Sequence, residues 1–257
     1  MIVRVHQEEG FSEPMVLKIF DRRFATQLRE DSKAKPWTLE SEVQYHRLIE
    51  NGGVAELIPT FGSFYKHRGD AAEDEAYFHH TMQTFYETEQ EVYDSLRDIQ
   101  GRSIPRLLCS LKFPVIPTLN SPSIEKYTAF PGILLQYIDG FPLSDLSTYA
   151  PKSEWQSVCD QAINTVHQIT HKGILNTDVR TRSFIVQRDQ RGQFRPFMID
   201  FALCYFRRDC DDDDHFWAWK SAQDEEGTLA FAMKKLLKEG YVYQRSALYT
   251  ELDHKFE

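Results

Sequence analysis

The sequence predicts an α+β protein in two lobes, a small antiparallel sheet followed by a mostly helical part. Three observations carry that expectation. Residues 2–5 alternate apolar and polar, and "MVLKIF" from Met15 to Phe20 repeats the habit after a Gly, Ser and Pro interruption, so the two read as adjacent strands. A fully apolar run from Gly132 to Tyr137 ends in a Gly and Pro bend, as a strand does when it leaves a small sheet for a connection. Beyond that bend helical stripes dominate, interrupted by one hairpin. The boundary between lobes is therefore expected near residue 140, giving lobes of 1–140 and 141–257.

The other elements follow in order. "PWTLESEVQYHRLIENGG" reads as a helix near 38–50, with Thr38 as N-cap, Leu39, Val43 and Leu48 near one face, and Gly52 and Gly53 ending it. "KHRGDAAEDEAY" reads as a polar, acidic loop. A second helix is expected from about Gln83 to Ile99, where Phe85, Val92, Tyr93, Leu96 and Ile99 recur at helical spacing. "QGRSIPRLLCSLKFPVIPTLN" then shifts to Pro and β-prone residues. Residues 153–171 form a core helix with Ser153 as a cap candidate, Trp155, Val158, Ile163, Val166 and Ile169 near one stripe, and "HKG" as its stop. After it come "ILNTDVRTR", a strand "SFIVQ", a turn "RDQRGQ" with Gly192, and a strand "PFMIDFALC". The tail from Phe216 to Gly240 reads as helical, and "DCDDDDH" before it as a solvated acidic loop.

Composition bounds the function. At 257 residues, 41% hydrophobic and 27% charged, the chain can bury a sizeable core. A net charge of −9 argues against a nucleic-acid partner, whose phosphates demand clustered Lys and Arg. Cysteines 109, 159, 204 and 210 form no CxxC pair, so reduced thiols are expected rather than a disulfide scaffold or a zinc site. The first residues lack the pattern of a signal peptide, and no run approaches the length of a membrane span. The expected location is the cytoplasm, with the nucleus left open.

Two aspartates pose the chemical question. Asp178 lies in "NTDVRTRS" and Asp200 in "IDFA", each beside an apolar β-like run and separated by the hairpin. Taken with "VLKIF", "ETEQEVYDSL" and "LLQYIDG" in the same order over roughly residues 1–240, this resembles the protein kinase superfamily, including its aminoglycoside-phosphotransferase-like relatives. "VLKIFDRRFA" with "YDSLRDIQGRSIPRLL" looks like a fungal kinase-like group. The resemblance implies a two-lobed kinase-like fold, an antiparallel-sheet N-lobe carrying an insertion at about 21–84, and a shortened helical C-lobe. It also implies ATP and Mg²⁺ as cofactors and transfer of the γ-phosphate to a hydroxyl of a protein or small molecule.

Phosphoryl transfer asks a protein to position reactants and neutralise phosphate charge. By the resemblance, Lys18 meets the α- and β-phosphates and Glu89 pairs with it, with Glu87 and Glu91 as neighbouring candidates. Asp178 accepts or orients the hydroxyl proton, Arg180 reaches the γ-phosphate, and Asp200 holds Mg²⁺ with Ser183 as a second metal oxygen. Leu135, Gln136, Tyr137 and Ile138 line the nucleotide site at the bend between the lobes, with Leu134 or Leu135 behind the adenine.

The sequence also departs from the family pattern. Asn176 stands where the family has His, Ser183 where it has a metal-binding Asn, and Ala202 where it has Gly. No G-x-G-x-x-G precedes Lys18, about 70 residues separate Lys18 from Glu89, and 57 residues follow Asp200 without an A-P-E element. These departures keep a second function class open: a pseudokinase that binds nucleotide or a protein partner without turnover. A third class is an unrelated α+β binding domain whose aspartates only cap turns.

Overall fold

The computed structural model describes residues 1–4, 6–7, 10–11, 13–61, 70–114 and 122–256. Val5, residues 66–69 of the expected acidic loop and residues 115–120 of the β-prone stretch lie outside the described residues. The fold is α+β, with small antiparallel sheets among a larger share of helix. The first strands are β1 (Ile2–Val3), β2 (His6–Gln7), β3 (Gly10–Phe11) and β4 (Met15–Ile19), followed by helices α1 (Thr26–Asp31), α2 (Leu39–Glu50), α3 (Gly53–Leu57) and α4 (Ala71–Ser95). Then come β5 (Leu107–Phe113), α5 (Pro122–Thr128), β6 (Phe130–Gln136), β7 (Gly140–Pro142), α6 (Leu146–Tyr149) and α7 (Lys152–His171). The remainder is β8 (Ile174–Asn176), β9 (Phe184–Arg188), β10 (Phe194–Met198), β11 (Cys204–Phe206), α8 (Asp213–Gln223), α9 (Glu225–Leu237) and α10 (Ala247–Phe256). No helix among the described residues is long and apolar enough to cross a membrane.

The chain divides into two compact units, the first made of Met1, Leu17–Glu87 and Leu108–Leu134, the second of Ile2–Val16, Thr88–Leu107 and Leu135–Glu257. In the first unit β6 lies between β4 and β5. Just past β4, Phe20 donates its N–H to the Pro131 carbonyl at 2.9 Å. Helix α2 begins as the sequence expects, because the Thr38 hydroxyl accepts the Ser41 N–H and the Ser41 hydroxyl accepts the Thr38 N–H. It ends at Asn51, with Gly52 at φ 76°, a left-handed value that favours glycine.

The buried face of α2 differs from the expected one. Leu39 and Val43 are exposed, whereas Ser41, Tyr45 and Ile49 point inward. Tyr45 and Ile49 form a core with Val54 and Ala76, and Leu48 packs at its edge. The reason is polar as well as apolar. Ser41 donates to Glu75 at 3.2 Å and the Tyr45 hydroxyl to the Tyr127 carbonyl at 2.7 Å, so this face satisfies groups that Leu39 and Val43 could not.

Glu75 also explains why the acidic stretch from Ala71 is helix rather than loop, so that α4 starts twelve residues before Gln83. Asp70 accepts the N–H groups of Ala72 at 2.8 Å and Glu73 at 3.1 Å, capping the helix, and Glu73 and Asp74 sit in its first turn where the dipole favours negative charge. Glu75 is buried, but Arg29 donates to both its oxygens at 2.9 and 2.8 Å and the Arg22 Nε lies 3.3 Å away. Arg22 reaches on to Glu42 at 2.6 Å, and Glu42 also accepts from Trp37 at 2.7 Å. Two arginines and two carboxylates thus neutralise one another inside the unit.

In the second unit β1 pairs with the start of β4, Ile2 opposite Val16 and Val3 opposite Met15. Helix α7 buries Val158, Ala162, Val166 and Ile169. It starts after Pro151, so Ser153 lies inside its first turn and is not the cap. Gly173, at φ 70°, turns the chain into β8. The expected hairpin forms: β9 and β10 pair from Phe194 opposite Arg188 to Met198 opposite Phe184. Its turn holds Gly192 at φ 83°, and Asp189 accepts the N–H groups of Arg191 and Gln193, each at 2.9 Å. Strand β7 covers the other edge of β9, Gly140 opposite Gln187.

"PFMIDFALC" is two strands rather than one. β10 stops at Met198 and β11 starts at Cys204, where it turns to pair with β8. The break contains Asp200 at φ 69°, a left-handed value that a continuous strand cannot hold. The acidic run is likewise only partly loop: Asp212 caps α8 by accepting the His215 N–H at 2.7 Å, and Asp213 and Asp214 occupy its first turn. Asp213 pairs with Arg207, and Asp214 with Lys255 at 2.7 Å.

Candidate functional site

The site is built on the loop between β8 and β9 and the break between β10 and β11, both in the second unit. β8 is wholly buried and pairs Asn176 with Cys204. This sets the start of the Asp178 loop beside the end of the Asp200 segment. Thr177 then gives both its N–H and its hydroxyl to the Leu203 carbonyl, at 3.1 and 3.0 Å.

Asn176 completes the junction. Its side-chain oxygen accepts the Asp178 N–H at 2.9 Å, while its side-chain nitrogen donates to the Asp200 carbonyl at 3.2 Å. One buried amide therefore holds the two aspartates' backbones together. Two further bonds brace the same place: Ile199 donates to the Ser183 carbonyl at 2.8 Å, and Met198 to the Ser103 carbonyl at 2.8 Å. Asp200 presents an exposed residue on this braced backbone.

Within the loop, the Ser183 hydroxyl donates to the Asp178 carbonyl at 2.9 Å and accepts the Arg180 N–H at 3.2 Å. It closes the turn, which leaves one lone pair for any other partner. The Asp178 carboxylate takes the Arg180 Nε at 2.9 Å on Oδ1 and an Arg182 nitrogen at 3.1 and 2.9 Å on both oxygens. Both arginines are exposed, and Asp178 is half-buried.

Of the three neighbouring glutamates, Glu89 is the fully buried one. Glu87 is exposed and takes a bond from Gln83 at 2.8 Å, and Glu91 pairs with Arg208. One turn beyond Glu89, Tyr93 is also fully buried and meets Phe201 edge-on at 5.3 Å between centroids. Burial raises the Tyr93 phenol well above its usual range, and the negative charges of Glu89 and Asp200 add to the shift. The Cys204 thiol is raised by burial too, with Glu225, Glu89 and Asp200 among the charges nearby. Glu89, Tyr93, Asp200 and Cys204 thus share one neighbourhood of the second unit. Lys18 lies in the first unit, half-buried on β4, with its ammonium 5.2 Å from the Phe20 ring centroid.

The bend is stiffened from one side. Gln136 donates its N–H to the Arg106 carbonyl at 2.9 Å and accepts the Arg106 N–H on its side-chain oxygen at 3.2 Å. Leu135 and Ile138 are buried; Gln136 and Tyr137 are half-buried. Directly after them, a cavity of ≈ 540 Å³ is lined by Asp139, Phe141, Asp145, Tyr149 and Arg188. No group of three or more His, Cys, Asp or Glu among the described residues is arranged to hold a metal ion. A single carboxylate such as Asp200 suits Mg²⁺ only when phosphate oxygens and water complete the shell, which is how that ion is commonly held beside nucleotides.

Sequence reasoning missed the support beneath the loop. Glu225, buried, accepts the Asn176 N–H at 2.9 Å and a bond from the Tyr249 hydroxyl at 3.2 Å, and it forms an ion pair with buried Lys220. Lys220 in turn donates to the Ile174 carbonyl at 3.0 Å, so β8 is held at both ends. Burial pulls the Lys220 ammonium below its usual value, and Glu225 opposes that shift. "SAQDEEG" carries no local signal of this role, since acidic residues at a helix start are ordinary. A scan against protein-family models finds no match, and no curated protein matches the chain.

Proposed function

We propose that the protein is an atypical kinase-like phosphotransferase that moves the γ-phosphate of ATP to a hydroxyl of a protein or small molecule. One observation supports the reading: the Asn176 amide binds the Asp178 N–H and the Asp200 carbonyl, so the backbones of the two aspartates that this reading assigns to the acceptor and to the metal are braced together. Such pre-organisation is what phosphoryl transfer requires of a protein, because its catalysis is mainly positioning and charge neutralisation.

In this reading the acceptor oxygen attacks the γ-phosphorus while the bond from that phosphorus to the β–γ bridging oxygen breaks. ADP leaves with the electron pair, and the hydroxyl proton passes to Asp178. Asp200 would hold Mg²⁺, which when bound neutralises phosphate charge, with Ser183 as the weaker second oxygen. Lys18 is assigned to the α- and β-phosphates, Arg180 to the γ-phosphate, and Leu135 to Ile138 to the adenine. A catalytically weak pseudokinase is the second reading. It is favoured by a specific feature: two arginines already hold the Asp178 carboxylate, and the Ser183 hydroxyl is engaged within its own loop.

The deciding experiment is the change in melting temperature with ATP and Mg²⁺ on the full chain and on Asp200→Ala, beside an ADP-release assay. A Mg²⁺-dependent rise that Asp200→Ala abolishes is expected, with turnover that Asp178→Ala removes. No rise in either protein refutes the nucleotide site. A rise without turnover selects the pseudokinase.

A further inference from the structure

Arg180 and Arg182 share one carboxylate and leave most of their donors unused. Arg180 gives Asp178 only its Nε, and Arg182 only one terminal nitrogen. Their side chains are 60% and 64% exposed, against 25% for Asp178. The other guanidinium N–H groups meet no acceptor among the described residues. Both guanidiniums share the one carboxylate that they touch, and both are exposed, in a chain whose net charge is −9.

A guanidinium is planar and presents paired donors that match carboxylate and phosphate oxygens. Two of them pinned by the same carboxylate are already oriented, so less side-chain freedom is lost when an anion arrives. We propose that the outer edges of Arg180 and Arg182 form an oxyanion subsite in which Arg180 keeps the γ-phosphate and Arg182 takes an anionic group of the acceptor, so that the phosphate acceptor is an acidic hydroxyl compound carrying a carboxylate or phosphate beside its hydroxyl. The identity of the acceptor rests on the phosphotransferase reading; the anion site does not. Binding also acts on Asp178. An incoming anion competes for the same two guanidiniums, loosens their hold, and frees a carboxylate oxygen for the hydroxyl proton.

The test titrates the full chain, free of nucleotide and metal, with inorganic phosphate at constant ionic strength, following the arginine Nε–H resonances and the melting temperature. Saturable shifts at Arg180 and Arg182 are expected, with binding roughly tenfold weaker in Arg182→Gln. Arg195→Gln, which alters an exposed arginine on β10, should bind as the unsubstituted chain does. Asp178→Asn keeps an accepting oxygen but removes the competing charge, so phosphate should bind more tightly. Succinate in place of phosphate separates carboxylate from phosphate recognition. Equal phosphate binding in Arg182→Gln and the unsubstituted chain, or equal weakening in Arg195→Gln, overturns the subsite. Arg182-dependent phosphate binding without any ATP and Mg²⁺ response keeps the anion site and removes its acceptor role, whereas an ATP response without Arg182 dependence sinks this inference alone.

Discussion

Replacing Asn176 by alanine deletes both bonds that tie the two aspartate segments together. The Asp178 N–H loses its acceptor at 2.9 Å and the Asp200 carbonyl its donor at 3.2 Å. Both bonds are part-buried, so water restores some of the loss, and the summed cost is about 2–3 kcal/mol. Asn176→Asp separates the two bonds. The introduced carboxylate can still accept from Asp178 but faces the Asp200 carbonyl without a proton to donate, and Glu225 lies on its own backbone N–H. Burial raises the folded pKa of that carboxyl, so its stability is present below the unfolded value of about 3.9 and is lost as pH rises through the raised folded value. Urea denaturation at unchanged slope should show alanine destabilised at all pH values, and aspartate worse than alanine at pH 7 but closer to the unsubstituted chain near pH 4. The melting response to ATP and Mg²⁺ should fall in both. An alanine variant within about 0.5 kcal/mol of the unsubstituted chain refutes the view that Asn176 holds the site.

Glu75→Ala leaves Arg22 buried with Glu42 and takes from Arg29 the carboxylate that holds it, so a loss of about 3–5 kcal/mol is expected by chemical denaturation, and Glu75→Ala combined with Arg29→Met should recover part of it. Glu226 contributes to the acid limb of stability. Burial alone would raise its carboxyl, but bonds from His167, Ser246 and Tyr243 overcome this and bring it down from 4.5 to about 2. A lowered folded pKa adds stability above the unfolded value, lost as pH falls, so unfolding free energy should drop between pH 4.5 and about 2 and Glu226→Gln should flatten that slope. In Gly140→Ala the new Cβ would clash with the Val186 carbonyl oxygen, so β7 must shift from β9 at a cost of about 1–3 kcal/mol, measurable as faster amide exchange at Val186 and Gln187.

The sequence by itself determined what depends on neighbours in the chain. The Thr38 N-cap, the Gly192 hairpin, the Gly173 stop and the helical stripe through Val92, Tyr93 and Leu96 are local patterns, and each stands where the residues put it. The placement of Asp178 and Asp200 on two sides of one hairpin was legible for the same reason. What joins them was not. Asn176 looked like a departure from a motif, and only the β8–β11 pairing turns it into the brace between two loops. Glu75 lay in a stretch that reads as an acidic loop and Glu225 in a helical tail that gave it no role, yet both are buried: Arg22 and Arg29 come from distant positions to neutralise Glu75, and Lys220 meets Glu225 across the break between α8 and α9. The same distance effect turned an acidic loop into the first turns of α4. A carboxylate's local sequence states its charge; whether it is solvated or buried depends on the cation the fold delivers to it, and that is decided only when the chain is packed.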